Sequence, residues 1–432
     1  MSESLMVMAD GVRMGTVSRN GKRLGFQYDS RWLESERRYP LSLSMPLVLK
    51  EHPHSVIEPF LLGLLPDNPR ILEEWGRRFQ VSPRNAFSII SHVGEDCAGA
   101  VQFLRDEREH QQATGPQPSR VNWIDDQELS RRLTLLLENH GSTRLAGDSG
   151  QFSLAGAQPK LALHRHPVTG AWGVPEGSTP TTHILKPATG EFGGHAENEH
   201  FCLLLAAAIG LRTCQSSVIH FAGHAVIVIE RYDRLWRGDR CHRVHQEDIC
   251  QSLAIHPDRK YQNDGGPGAR DIAALLRDQS TETAIDLAAF ADALIFNWLI
   301  AGTDAHAKNF SLLIASGPQI RLAPLYDLAS ALPYPQRIDL QKAKLAMKIG
   351  GSYRLREIRR SHWESCARDL RMPANDIIGR AESMIERMAQ AVPQVAGLLH
   401  TEGIDEPVVG RLVDALAVHS RVCLERLANS NE

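Results

Sequence analysis

Cysteine is scarce and unpaired in this chain: seven in 432 residues, with no CxxC spacing anywhere. An odd number so dispersed excludes a disulfide framework and predicts a reducing compartment. Long apolar runs are missing too. The longest, Phe201 to Leu211, is about half of the ~20 residues needed to cross a bilayer. The first residues, Met1-Ser2-Glu3-Ser4-Leu5, lack the basic and apolar regions of a secretory signal. The expectation is a cytoplasmic protein without a membrane partner. Neither sign of charge is in excess, since 48 basic and 51 acidic residues give a net charge of -3. Whole-chain attraction to nucleic acid or anionic lipid is excluded, and any such surface must be local. With 42% hydrophobic and 23% charged residues, a disordered or fibrous chain is excluded as well.

Three common chemical signatures are also absent. No G-x-x-x-x-G-K-[ST] occurs, so there is no Walker phosphate loop. Gly147-Asp148-Ser149-Gly150 invites a serine-nucleophile reading, but no matching histidine and aspartate context accompanies it. Cys241, His242, His245 and Cys250 lack the paired spacing of a structural zinc site. Arg354, Arg356, Arg359 and Arg360 crowd one stretch, diluted by Glu357 and Glu364; this reads as a solvated helix face, with a contact to DNA phosphate as the alternative.

The length predicts two or three domains. Turn signals at Asp10-Gly11 and Asn20-Gly21 break the first ~30 residues into short hairpin strands. Helical patterns follow over Ile71 to Phe79 and Pro83 to His92, then a short strand over Val101 to Leu104. A polar stretch with two prolines, Gln111 to Ser119, reads as a linker. Beyond it, strands are expected at Leu161 to His164, Thr182 to Lys186 and Val226 to Glu230, with an apolar helix over Asn198 to Ile209. From ~235 onward helical patterns dominate. The division expected is a module over 1–110, a linker over 111–120, a β-rich lobe over 121–235 and a helical lobe over 236–432. The fold class expected is α+β.

The sharpest motif is Thr303-Asp304-Ala305-His306-Ala307-Lys308-Asn309, directly after an apolar helix. An aspartate and an asparagine five apart on such a loop match the D-x-x-x-x-N of a kinase catalytic loop. The aspartate there orients a hydroxyl and accepts its proton. The asparagine offers an amide oxygen to Mg²⁺, which prefers oxygen ligands. Asp327 follows the strand expected at Gln319 to Leu322 and stands where kinases carry their second Mg²⁺ ligand. Lys186 ends an apolar strand, as an ATP-phosphate lysine does; Glu199, Glu197 and Glu191 compete as its partner. Leu154 to Lys160 is rich in small residues whose backbone could approach phosphates. Glu230, Arg231 and Tyr232 end a buried strand at a hinge position.

Together these stretches resemble the HipA-type serine/threonine kinases, toxins of bacterial type II toxin–antitoxin pairs. The likeness rests on Phe152 to Lys160, Thr181 to Lys186, Gln246-Glu247-Asp248, Lys260-Tyr261 with Gly265-Gly266-Pro267, Thr303 to Phe310 and Tyr326-Asp327. Pro40 to Leu47 and Gly63-Leu64-Leu65-Pro66 extend it into the first module. The resemblance implies a two-lobed protein-kinase-like fold, with an α/β N-terminal lobe, an extra N-terminal module and an all-α C-terminal lobe. It implies Asp304 as catalytic base, and Asn309 and Asp327 as Mg²⁺ ligands. It implies ATP contacts from Ala155, Gly156, Ala157, Gln158, Pro159, Lys160 and Lys186. Further contacts are implied from Glu230, Arg231 and Tyr232 at the adenine, and from His306, Ala307, Lys308, Asn309, Tyr326, Asp327, Leu328 and Ala329. Ser153 aligns with an autophosphorylated serine. The implied partners are a small helix–turn–helix DNA-binding antitoxin, through which DNA is met only indirectly, and an aminoacyl-tRNA synthetase substrate, typically the glutamyl enzyme. The implied outcome is growth arrest and persistence. Pro159 departs from the family pattern, where a glutamate is common, and removes one backbone donor. Two other readings remain: a small-molecule or lipid kinase, and a degenerate kinase that only binds its antitoxin.

Overall fold

A computed structural model describes residues 3–9, 11–105, 120–138, 156, 158–177, 179–188, 192–221, 223–317, 319–404 and 406–428. The linker expected over 111–120 lies, except for Arg120, outside these residues, as do Ser153, Ala155, Ala157 and Glu191.

The first sheet has five antiparallel strands in the order Glu51–Pro53, Arg23–Tyr28, Val12–Asn20, Glu3–Ala9, Val101–Leu104. Ala9 pairs with Val12 and Asn20 with Arg23, so both expected hairpins form. Helices His54–Gly63 and Ala86–Val93 cover one face. Leu5, Val7, Phe26, Trp32, Phe60 and Phe87 make a core of this module's own. Ile314, from far along the chain, completes it.

The second sheet has six antiparallel strands in the order Ser216–Phe221, His224–Glu230, His183–Pro187, Leu161–Arg165, Trp172–Glu176, Arg120–Ile124. Side chains alternate across a strand, and the strand His224–Glu230 uses both faces. Val226 and Val228 pack toward Leu129, Leu133 and Leu136 of helix Asp126–Glu138. Ile227 and Ile229 pack toward Phe201 and Leu205 of helix His195–Ala208. Lys186 is the cross-strand partner of Ile227 and therefore shares the second face.

Helices Ala269–Gln279, Thr283–Leu299, Arg360–Leu370, Ala374–Thr401 and Pro407–Ala428 build the C-terminal half around Phe290, Phe296, Trp298, Trp363, Met384 and Leu412. This half is predominantly helical but not wholly so, which corrects the expectation of an all-α lobe. It contains the three-stranded sheet His245–Asp248, Ser311–Ala315, Gln319–Leu322 and the hairpin Lys344–Ile349, Ser352–Arg354. A further hairpin, Arg234–Arg237 with Arg240–Arg243, straddles the expected lobe boundary. Most of these strands are too short for their alternation to stand out, and only Gln319–Leu322 carried a readable signal.

The first module is joined to the other two by a buried ionic cluster. Asp96 receives Arg234 at 3.0 Å and Arg243 at 2.8 Å, and Arg231 reaches Asp233 at 2.8 Å. The Asp233 carboxylate also accepts the Gly99 N–H at 2.8 Å. The arginines hold the Asp96 carboxyl well below the usual carboxylate range against burial that opposes it. A second seam runs along the small sheet: the Leu43 N–H donates to Glu247 at 2.8 Å, and Gln251 donates to the Phe60 carbonyl at 3.0 Å. Among the described residues no helix is long and apolar enough to cross a membrane.

Candidate active site

The catalytic loop is shaped by how its helix stops. Helix Thr283–Leu299 is exposed at its first turn and fully buried from Ala293 to its end. The chain turns at Ala301, with φ +51°, and passes close over Asn297 at Gly302. A Cβ at Gly302 would lie 2.3 Å from Asn297 Oδ1, so only glycine fits that crossing. Asp304 and Asn309 then meet across the loop. Asn309 Nδ2 donates to the Asp304 backbone oxygen at 2.8 Å, and the Tyr261 hydroxyl donates to Asp304 Oδ1 at 2.5 Å. With its NH₂ so used, Asn309 has its amide oxygen as the group to offer a cation.

Lys186 resolves the three-way competition for its partner. Its ammonium lies 2.8 Å from Glu199 Oε1 and 2.6 Å from Asp327 Oδ1. Glu199 is fully buried on helix His195–Ala208. Glu197 instead lies within 4.8 Å of His220 and Glu406. The two carboxylates raise the Lys186 pKa although burial opposes it, and Lys186 with Lys160 pulls Asp327 far below its ordinary value. Asp327 sits at φ +58°, a left-handed conformation that aspartate tolerates better than most residues. A carboxylate and an amide oxygen are the donor types a hard divalent cation takes, so Asp327 and Asn309 fit Mg²⁺ chemically.

One cavity of about 270 Å³ connects these groups. It is lined by Gly156, Gln158, Lys160, Lys186, Glu230, Arg231 and Tyr232 from one side. Asp304, His306, Lys308, Asn309, Tyr326, Asp327 and Ala329 line the other. Pro159, Ala307 and Leu328 do not line it; Ala307 and Leu328 are buried in the core. Ser153, Ala155 and Ala157 lie outside the described residues. Gly156 adopts φ +106°. Burial, helped by Lys186, lowers the Lys160 pKa to about 8.

At the hinge, Arg231 turns its guanidinium away from the cavity into the Asp96–Asp233 cluster. Its N–H and carbonyl are engaged by the Thr182 carbonyl at 2.9 Å and the Arg234 N–H at 3.1 Å. Tyr232 stacks on Tyr326 with ring centroids 5.7 Å apart. Burial lowers the His306 pKa and favours the neutral ring, whose Nδ1 has no hydrogen-bond partner among the described residues.

Sequence reasoning gave several lining residues no role in the site, although Gln246-Glu247-Asp248 was among the stretches that carried the resemblance. Glu247 and Asp248 border the cavity, and burial lifts their carboxyls to about 7 and about 6. Asp67 enters from the first module and pairs with both Lys260 and Lys308. The only signal for Asp67 was its place after Gly63-Leu64-Leu65-Pro66. The rejected zinc grouping stays apart: His245 is buried and bonds the Leu41 carbonyl, and Cys250 lies in the helical core. Arg354 and Arg360 pair with Glu357 and Glu364, as a solvated face would.

A strand lysine paired with a helix glutamate, facing a D-x-x-x-x-N loop and a second aspartate across an interlobe cavity, defines a protein-kinase-like phosphotransferase. Comparison with known proteins narrows the class. The family model of the HipA N-terminal domain matches residues 5–104, and that of the HipA-like C-terminal domain matches residues 152–396. The chain is 37% identical to a putative kinase of Sinorhizobium fredii, over 97% of this chain and 98% of that one. It is 28% identical to the serine/threonine-protein kinase toxin HipA of Shewanella oneidensis, over 88% of this chain and 86% of that one. The solved structure of HipA from Shewanella oneidensis MR-1, in complex with HipB and operator DNA, matches in fold with a TM-score of 0.82 at 23% identity. That match covers 98% of this chain and 97% of the other. The chain belongs to the HipA family and is a kinase.

Proposed function

We propose that this protein is an ATP- and Mg²⁺-dependent serine/threonine protein kinase acting as the toxin of a toxin–antitoxin pair. The observation that carries the reading is Lys186, held 2.8 Å from Glu199 and 2.6 Å from Asp327 in the cavity that Asp304 also lines. Lys186 binds the α- and β-phosphates. Asp304 orients the substrate hydroxyl and takes its proton while Tyr261 steadies the carboxylate. Asp327 and Asn309 would hold Mg²⁺, which neutralises phosphate charge when bound. Glu230 and Tyr232 border the adenine end, and the Gly156–Lys160 segment covers the phosphates. The working division is the N-terminal module 1–110, the linker 111–120, the nucleotide lobe 121–235 and the catalytic lobe 236–432.

The partner in this reading is a small helix–turn–helix antitoxin that brings the kinase to DNA, supported by the solved relative's complex with HipB and operator DNA. The substrate is an aminoacyl-tRNA synthetase, the glutamyl enzyme first, and its phosphorylation stops translation and promotes persistence in the cytoplasm. Ser153 precedes cavity-lining Gly156 by three residues. Phosphorylation there adds about -1.5 to -2 charge close in sequence to the Gly156–Lys160 segment and switches the kinase off.

The test is incubation of a cell lysate with labelled ATP and the purified protein. A labelled synthetase band, lost with Asp304→Asn, is the expected result. A labelled lipid or metabolite makes it a small-molecule kinase, and no label at all leaves only antitoxin binding. Mass spectrometry of the enzyme after incubation with Mg-ATP should find phosphate on Ser153.

A further inference from the structure

The first module places one carboxylate inside the kinase cavity, at the end where the catalytic loop lies. Asp67 Oδ2 is 2.8 Å from Lys260 Nζ, and Asp67 Oδ1 forms a close ion pair with Lys308 Nζ. The three side chains are 12%, 15% and 4% exposed, so solvent screens them little. The two ammonium groups hold the Asp67 carboxyl below its usual range against burial that opposes it. The Asp67 N–H also donates to the Gly156 carbonyl at 3.2 Å, and Pro66 and Gly156 form a β-bridge. One residue therefore touches the phosphate loop and both segments that present the catalytic aspartate. Lys308 stands between Asp304 and Asn309 on the loop. Lys260 adjoins Tyr261, the residue bonded to Asp304, and its carbonyl accepts the Ala307 N–H at 3.2 Å.

We propose that Asp67 is a positioning residue for phosphoryl transfer, which makes the N-terminal module a part of the kinase site. The proposal rests on the kinase reading above. Asp67 holds Lys260 and Lys308 together at the γ-phosphate end of the cavity, two cations that would otherwise repel one another. Lys186 serves the α- and β-phosphates from a separate cluster with Glu199 and Asp327. Docking of the module does not explain Asp67, because the Asp96 cluster and the Glu247 and Gln251 hydrogen bonds already supply it. What Asp67 adds is charge placed among the reacting groups.

The two kinds of role separate by nucleotide length. ADP ends at the β-phosphate and should not sense the Asp67 pair, whereas ATP should. In the full-length protein, Asp67→Asn is expected to lower kcat about a hundredfold. It should weaken ATP binding and leave ADP binding unchanged, whatever stability the broken ion pair costs. Asp67→Glu, which keeps the charge, should recover part of the rate. Lys308→Met and the double variant Asp67→Asn/Lys308→Met should have the same rate, because the pair acts as a unit. Wild-type kcat in Asp67→Asn overturns the proposal. So does equal loss of ADP and ATP affinity with a lowered midpoint, since that marks a structural role only. If Asp67→Asn does not fold, Lys260→Met and Lys308→Met carry the same ATP-against-ADP comparison. A wild-type protein that transfers no phosphate at all sinks the kinase reading instead, and the ATP-against-ADP titration still decides what Asp67 touches.

Discussion

Asp304 is held twice, at its carboxylate by the Tyr261 hydroxyl and at its backbone by the Asn309 amide. These two contacts have separable consequences. Asp304→Asn should lower kcat by ~10²–10⁴ with nucleotide affinity retained, since a general base contributes about that much. Tyr261→Phe keeps the ring and loses the hydrogen bond. It should cost about tenfold in kcat, the scale of one hydrogen bond to a charged group, with ATP affinity again unmoved in a nucleotide titration. The same cavity wall carries a different kind of group in Glu247. Burial raises its folded pKa to about 7, above the unfolded value near 4.5. Between those values the folded state binds more protons than the unfolded one. The Glu247 contribution to stability therefore falls as pH rises from about 5 to about 7, by up to ~1.4 kcal/mol per pH unit. Asp248, raised to about 6, adds in the same direction. The histidines His183 and His245, lowered by desolvation to about 4, act in the opposite sense. Urea titrations across that range should show the wild type losing stability relative to Glu247→Gln as pH rises.

Elements differ in how much of their role is local. The strand His183–Pro187, the helix His195–Ala208 and the Asp304–Asn309 loop were all legible in the sequence, because each carries its chemical residue within its own pattern. Lys186 interrupts an apolar alternation, and Asp304 and Asn309 keep a fixed spacing on one loop. The pairing of Lys186 with Glu199 was open among three glutamates, because helix phase and strand register must be combined to choose. The answer follows from Lys186 sharing a sheet face with Ile227, the face that packs on the Glu199 helix. Most of the small strands of the C-terminal half were illegible, being too short to show a period. Asp67 was illegible for another reason: it lies 193 residues from Lys260 and 241 from Lys308 in the chain. No local pattern encodes such a meeting. At this scale the Lys186–Glu199 pair predicts that Lys186→Ala weakens Mg-ATP binding, by about tenfold for a lost charge-assisted contact. A nucleotide titration in the presence of Mg²⁺ checks it, and unchanged affinity would contradict the assignment.

The whole molecule is three packed parts, and the seam between the first module and the rest is polar. Three arginines converge on Asp96 and Asp233 in a buried site. Breaking a buried pair by removing one partner leaves an uncompensated charge and costs ~3–5 kcal/mol. Asp96→Asn should lower the unfolding free energy by about that much in urea denaturation. The depressed Asp96 pKa also fixes a sign. Its contribution is fully present above the ordinary carboxylate range and is lost only as pH falls through the lowered folded value. Acid should thus loosen the seam well below pH 4, a region opposite to the one where Glu247 acts. The central claim is that these parts together transfer phosphate from ATP through Asp304. Its most direct measurement incubates the purified full-length protein with γ-labelled Mg-ATP and a protein acceptor, followed by phosphoamino-acid analysis. Label on serine or threonine with the wild type, absent with Asp304→Asn and absent after chelation of Mg²⁺, is the predicted result. Label that persists undiminished in Asp304→Asn, or a wild type that labels no hydroxyl, would contradict it.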